Sequence, residues 1–449
     1  MVDVPRMKWQ PPPAAGSAGP PSWDEYLRCV HCGLCLNSCP TYRLWGMEAD
    51  SPRGRIRQMM LVNQGELPLG DSFVTHIDRC LDCRACETVC PSGVEYGKLV
   101  EAGLAQIERN YSRSFGAWLG RNLVYRHLLP HPGRIALVAR LLRLYQRSGL
   151  QWLARTSGVL KALGLAKRER LLPSIDDQFF SSRLGKTFPA RGTRRARVAF
   201  FAGCIAQVTF TRLNEATIRV LTANGCEVVV PEGQLCCGAL AVHAGVRDVA
   251  EALAQKNLDV FLRDDFDAVI TNAAGCGSTL KEYTHLFPAE NAKQEPQHRE
   301  HGDAEVTEKA QRFATKVRDV TEFLAELGLA APLRETKLRV TYQDSCHLLH
   351  GQKVREAPRK LIRAVPGVEL VELPFSDQCC GSAGVYNVTQ TDTALELLAG
   401  KMQQAQATGV QAIITANPGC LLQLRAGAEI HRTGQEVLHV VELLDRALG

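Results

Sequence analysis

Two stretches share one spacing: CVHCGLCLNSCP at 29–40 and CLDCRACETVCP at 80–91. Both read C-x2-C-x2-C-x3-C-P, the run that ligates cubane iron–sulfur clusters. A cube-shaped cluster needs four thiolates aimed at its corners. A tight loop aims the first three cysteines of a run at one cluster. The fourth follows a turn and ligates the cluster of the other run. The expected ligand sets are therefore Cys29, Cys32, Cys35 and Cys90 for one [4Fe-4S] cluster, and Cys80, Cys83, Cys86 and Cys39 for the second. Pro40 and Pro91 fix φ and withhold an N–H, which ends each loop. Zinc also takes four thiolates, but its sites usually show separated C-x2-C pairs, not four cysteines in eleven residues.

The chain has 449 residues, enough for two to four domains. A hydrophobic fraction of 45% suits a globular protein. Seventeen cysteines would suggest disulfides in a secreted protein, but these runs read as metal ligands of a reducing cytoplasm. Met1–Gln10 has no apolar leader core, and no stretch of about 18 uncharged apolar residues occurs. The net charge of +6 does not argue for nucleic acid.

Composition divides the chain further. Residues 1–22 contain PPPAAGSAGPPS and are expected to be a disordered tail. Residues 23–110 hold both cysteine runs and form the expected helical, ferredoxin-like 2[4Fe-4S] domain. Ile56, Met59 and Met60 suggest a short amphipathic helix there, with Arg53, Arg55 and Arg57 facing either a cluster or solvent. Residues 111–193 read as a basic helical linker. Within it, 111–172 carry twelve Lys or Arg against one acid, Glu169. This stretch is either a linker packed on the domains, its arginines in solvent, or a face for an anionic membrane surface or acidic partner.

From 194 onward the chain repeats. ARVAFFAGC (196–204) is answered by LRVTYQDSC (338–346), and FDAVITNAAGC (266–276) by VQAIITANPGC (410–420). CEVVVPEGQLCCG (226–238) is answered by VELVELPFSDQCCG (368–381). Matching cysteines are offset by 142, 143 and 144 residues, as in a duplicated unit. Strands alternating with helices imply two parallel-sheet α/β domains, 194–335 and 336–449. The expected fold is thus α+β and multi-domain.

Each copy holds a second cysteine set: Cys204, Cys236, Cys237 and Cys276, then Cys346, Cys379, Cys380 and Cys420. All follow predicted strands, where parallel sheets bind ligands. Gly238 and Gly381 would let the backbone turn close to a bound group. Buried structural thiols are the alternative. Cys226 has no counterpart and reads as core. His31, His243, His347 and His350 lack a base–nucleophile arrangement and read as structural; Asp344 reads as a loop cap.

The paired Cys-Cys-Gly modules resemble the cysteine-rich domains of heterodisulfide reductases. In those, the resemblance implies a closing C-x-x-C, but here Thr279 and Gln423 stand at the last position. CVHCGLCLNSCPTY (29–42), PRGRI (52–56), HIDRCLDCRACETVCPSGVEY (76–96) and QCCGSAGVY (378–386) resemble the glycolate oxidase iron–sulfur subunit family over nearly the whole chain after residue 22. That resemblance implies an electron-transfer subunit holding two [4Fe-4S] clusters, with further clusters in the Cys-Cys-Gly domains an open question. It implies flavoprotein partner subunits that oxidise glycolate and a quinone-side acceptor. Charge gives no nucleic-acid partner, cysteine usage a cytoplasmic place, and the basic stretch at 111–172 peripheral membrane contact. No flavin motif is visible, so this chain is not expected to be catalytic alone. The alternatives are a heterodisulfide reductase-like catalytic subunit and the iron–sulfur subunit of an anaerobic glycerol-3-phosphate dehydrogenase.

Overall fold

The structure, a computed structural model, describes residues 21, 23–287 and 301–449. The expected tail at 1–22 lies outside the described residues, apart from Pro21. The chain forms two compact units, one of residues 1–114 with 242–247, the other of 115–241 with 248–449.

The first unit has helices and no strand among its described residues. The helix Pro52–Gln64 begins on Ser51, whose hydroxyl accepts from the Gly54 N–H at 3.0 Å, and ends on Gly65 in the left-handed region. Gly54 is obligatory, since a Cβ there would lie 1.8 Å from the Glu48 carbonyl oxygen. The helix buries Ile56, Met59 and Met60, as their spacing predicts. They pack with Phe73 and Ile77 of helix Asp71–Asp78, and with Leu99, Val100 and Ile107 of helix Tyr96–Asn110. Pro40 does more than end a loop: it opens the helix Pro40–Trp45, with Cys39 at the N-cap.

The second unit starts with the linker helices. Phe115–Arg121, Leu150–Thr156 and Val159–Ala162 bury no residue. Pro132–Arg147 packs Ile135 and Ala139 against Ile175 and Val208. Its arginines are not simply in solvent: Arg143 donates to the Asp176 and Asp177 carbonyls, and Arg147 pairs with Asp177.

Two sheets follow. The first runs β1 (Thr187–Phe188), β3 (Cys226–Val229), β2 (Ala196–Phe201), β4 (Ala268–Thr271), β5 (Val317–Asp319) in spatial order. Its edge strand β1 pairs antiparallel with β3, with Thr187 opposite Val229, so the sheet takes a strand from within the linker. All other pairs are parallel. The second sheet runs β7 (Val368–Glu372), β6 (Leu338–Gln343), β8 (Ala412–Thr415), β9 (Glu436–His439), all parallel. The sheet centres β2, β4 and β8 are mostly apolar and nearly wholly buried, and β6 is buried from Val340 to Gln343, as parallel strands covered on both faces require. One core spans both sheets, joining Val198, Phe200 and Ile270 to Val340, Ile413 and Ile414.

Candidate metal centres

In the first unit the two cysteine runs share a backbone. His31 and Gly33, flanking Cys32, have φ of 54° and 83°; Asp82 and Arg84, flanking Cys83, have φ of 46° and 59°. Left-handed residues on both sides of the second cysteine turn each loop sharply, the kind of backbone that can cradle an anion. Three of the four are not glycine, so the shape is held against local strain. The Asp82 N–H reaches Cys80 Sγ at 3.4 Å, and the Tyr96 hydroxyl lies 3.6 Å from it.

The thiols sit close to one another. Burial pushes Cys35 up to about 11, and nearby Cys29 and Cys39 add to the rise. Cys29 is raised by burial and by Cys90 and Cys32. Cys86 is raised well above the usual thiol range by burial, then by Cys83, Cys80 and Cys39. The structure thus brings Cys90 near Cys29 of the first run, and Cys39 near both Cys35 of its own run and Cys80 and Cys86 of the second. Cys32 is exposed, while Cys39, Cys83 and Cys86 are buried. Converging thiols suit iron–sulfur chemistry, and loading them releases protons.

The three arginines differ. Arg53 donates to the His31 carbonyl at 3.0 Å and forks onto Glu48. Arg55 is buried, and Arg57 is exposed. His243 Nδ1 lies 2.8 Å from Asp82 Oδ2. Burial alone would lower the His243 pKa, but Asp82 and Glu101 hold it above its usual value.

In the second unit each later cysteine set gathers at the C-terminal ends of its strands. Cys204 follows β2, Cys236 and Cys237 follow β3, and Cys276 lies in the first turn of helix Ala274–Lys281 after β4. Cys204 Sγ is 3.3 Å from Cys236 Sγ. Donation from Cys204 and Cys237 makes Cys236 the acidic thiol of the set. The loop is pinned from behind: Asn257 accepts from the Leu235 N–H at 2.9 Å and donates to the Cys236 carbonyl at 2.9 Å, while the Tyr283 hydroxyl donates to the Cys237 carbonyl at 3.0 Å.

The other set is Cys346 after β6, Cys379 and Cys380 after β7, and Cys420 in the first turn of helix Pro418–His431 after β8. The Asn417 amide reaches Cys420 Sγ at 3.5 Å, and the Gly381 N–H reaches Cys379 Sγ at 3.5 Å. Cys379 and then burial push Cys380 up to about 12. Thr279 bonds its own helix, and Gln423, wholly buried, accepts from Asn387 at 3.1 Å. Both are committed to packing where a fifth thiolate would stand.

The charges around the sets differ. Asp344 is no simple loop cap: Arg359 forks onto it at 2.7 and 2.8 Å, both side chains buried. Lys401, also buried, donates to the Phe375 carbonyl at 2.5 Å, and burial lowers its pKa to about 8. Sequence reasoning missed Lys401, Asn257 and Tyr283. Lys401 and Asn257 were recoverable, since they match at the repeat offset of 144 and differ in charge. His350 Nε2 meets the Asp377 carbonyl at 3.0 Å, a structural bond; His347 lies in the turn after Cys346, and His31 in the first cysteine loop.

Fold and thiols define an iron–sulfur electron-transfer protein. Residues 25–94 match the 4Fe-4S dicluster domain, and 198–281 and 340–425 match the cysteine-rich domain. Residues 118–172 match the linker region of the glycolate oxidase iron–sulfur subunit. The chain is 40% identical over 432 residues to the probable glycolate oxidase iron–sulfur subunit of Bacillus subtilis strain 168, covering 95% of this chain and 94% of that one. It is 32% identical to the glycolate oxidase iron–sulfur subunit of Escherichia coli K12, covering 95% of each. Lactate utilization protein A of Geobacillus kaustophilus is 33% identical over 256 residues, 56% of this chain and 98% of that one. The chain belongs to the glycolate oxidase iron–sulfur subunit family.

Proposed function

We propose that this chain is the electron-transfer subunit of a glycolate-oxidising complex. A partner flavoprotein takes two electrons from the 2-hydroxy acid, and the clusters here accept them one at a time and pass them towards a quinone-side acceptor. The observation that carries this reading is the pair of matched cysteine loops in the first unit, within a chain 40% identical end to end to a probable glycolate oxidase iron–sulfur subunit. The proposed ligands are Cys29, Cys32, Cys35 and Cys90 for one cluster, and Cys80, Cys83, Cys86 and Cys39 for the other.

The remaining domains read as a linker at 111–193 and two copies of one unit at 194–335 and 336–449, a duplication supported by the shared strand order β3-β2-β4-β5 and β7-β6-β8-β9. Their cysteine sets are candidate sites for further iron–sulfur clusters. Thr279 and Gln423 in place of a fifth thiolate argue against disulfide-reducing chemistry. No helix among the described residues is long and apolar enough to cross a membrane. Peripheral contact from the cytoplasmic side is supported by exposed apolar residues on the linker helices. The test is stopped-flow absorbance: glycolate should bleach the cluster bands only when the flavoprotein partner is added. Bleaching by glycolate with the isolated chain would refute this division of labour.

A further inference from the structure

Behind Cys39 lies a buried polar network centred on Arg55 and Asp50. Arg55 is 1% exposed and Asp50 is 0% exposed. Asp50 is shared: Oδ1 lies 3.0 Å from His76 Nδ1 and 3.4 Å from Arg55 Nη2, while Oδ2 accepts from Arg79 Nη1 at 3.2 Å. Arg55 and Arg79 share the one carboxylate of Asp50, and of the two guanidiniums only Arg55 is fully buried. Arg55 also donates to neutral oxygens, the His76 carbonyl at 2.7 Å and Thr41 Oγ1 at 3.1 and 3.2 Å. Thr41 Oγ1 lies 3.2 Å from Cys39 Sγ and 2.7 Å from the Asp50 carbonyl. With Arg55 occupying its lone pairs, the hydroxyl has one proton to give, to that carbonyl or to the sulfur. A metal-bound thiolate only accepts.

We propose that Arg55, acting through the Thr41 hydroxyl, is a positioning residue that raises the reduction potential of the cluster ligated by Cys39 above that of its neighbour. The inference rests on the ligand assignment given above. Reduction adds one electron and makes a cluster one charge more negative. A fixed buried cation and a donor to a ligand sulfur both favour that state. Beside Cys29, Cys32 and Cys35, the ligands proposed for the neighbouring cluster, stands Arg53, which is neutralised by its fork onto Glu48, and Cys32 is exposed. Cys80 is touched by the same charge, since burial raises its pKa and Arg55 pulls it back.

The experiment is a redox titration of the full chain, anaerobically reconstituted, followed by electron paramagnetic resonance. Cys29→Ser and Cys39→Ser first identify which signal belongs to which cluster. Thr41→Val should then weaken reduction of the Cys39 cluster about tenfold, or 59 mV for one electron, and leave the other unmoved. Thr41→Ser should restore the wild-type value. Arg55→Gln should shift the same cluster in the same direction; Thr41→Val decides the matter if that variant does not load iron. If Cys39→Ser alters the same signal as Cys29→Ser, the ligand assignment fails and this proposal falls with it. If the assignment holds but Thr41→Val moves neither potential, or both equally, only the tuning role is overturned.

Discussion

Two glycines at matching places carry different loads. Gly238 and Gly381 follow the Cys-Cys pairs with φ of 86° and 89°. A Cβ at 238 would come no nearer than 3.4 Å, to Ala250, whereas one at 381 would lie 2.5 Å from the Ala394 carbonyl oxygen. Alanine at 238 should cost about 1–2 kcal/mol for the left-handed backbone alone, and alanine at 381 more. Denaturant midpoints of the two variants check this; the reverse order would sink it. A second comparison concerns helix caps. Asp319 ends β5 and His439 ends β9, and each caps the next helix. His439 Nδ1 accepts from the Val441 N–H at 3.1 Å, and Nε2 meets the Asn272 carbonyl at 3.1 Å, so the ring is neutral with its proton on Nε2. Burial lowers its pKa from 6.5 to about 4. The unfolded chain therefore binds the proton first. The contribution is fully present above pH 6.5 and is lost as pH falls towards 4, to an extent of about 3 kcal/mol. His439→Asn should flatten that acid slope in urea unfolding of the chain; an unchanged slope would refute the assignment. Arg53, Arg55 and Arg57 look alike in sequence, but helical spacing puts Arg55 on the face of Ile56, Met59 and Met60. That Thr41, Asp50 and His76 meet it was not legible, because they come from three separate segments.

The linker helices are unusual among the elements. Leu137, Leu141 and Leu144 fall on one face of Pro132–Arg147, and all are more than half exposed; Trp152 on the next helix is 70% exposed. The strand-and-helix alternation beyond them was legible because buried parallel strands are written as apolar runs. Strand β1 was not, since two residues at a sheet edge carry no periodicity. The basic count of the linker misled in a specific way. Arg143 and Arg147 hold the segment at 176–177, so reversing their charge should loosen the linker itself. The better probes are Leu141→Glu and Trp152→Glu. If this face lies on an anionic leaflet, each should cut binding to anionic vesicles roughly tenfold without changing iron content, as burial of one large apolar side chain implies. Wild-type complex that ignores such vesicles at low salt would leave the face to another protein.

For the whole molecule, iron content separates the two kinds of cysteine site. The dicluster unit alone should hold about 8 iron atoms per chain. Replacing Cys236, Cys237, Cys379 and Cys380 by serine should leave that number intact. If the wild-type full chain exceeds it and the quadruple variant does not, the sheet-borne sets are loaded. Zinc in place of iron would overturn the reading of all of them. The cysteine runs, the repeat and the family were legible because each is written in local spacing. The grouping of 242–247 with the N-terminal unit was not, since nothing in those six residues marks them as belonging elsewhere.

That grouping has a consequence for any attempt to cut the protein in two. Gly245 lies so close to helix Tyr96–Asn110 that a Cβ would come within 2.3 Å of the Leu104 carbonyl oxygen, and His243 meets Asp82 two residues along. The N-terminal unit is therefore finished by chain that arrives more than a hundred residues later. During synthesis it stays incomplete until the ribosome has passed residue 247. A nick after residue 114 should leave two polypeptides that travel together on a sizing column, and fragment 1–114 made alone should need the remainder, supplied in trans, to reach its full stability.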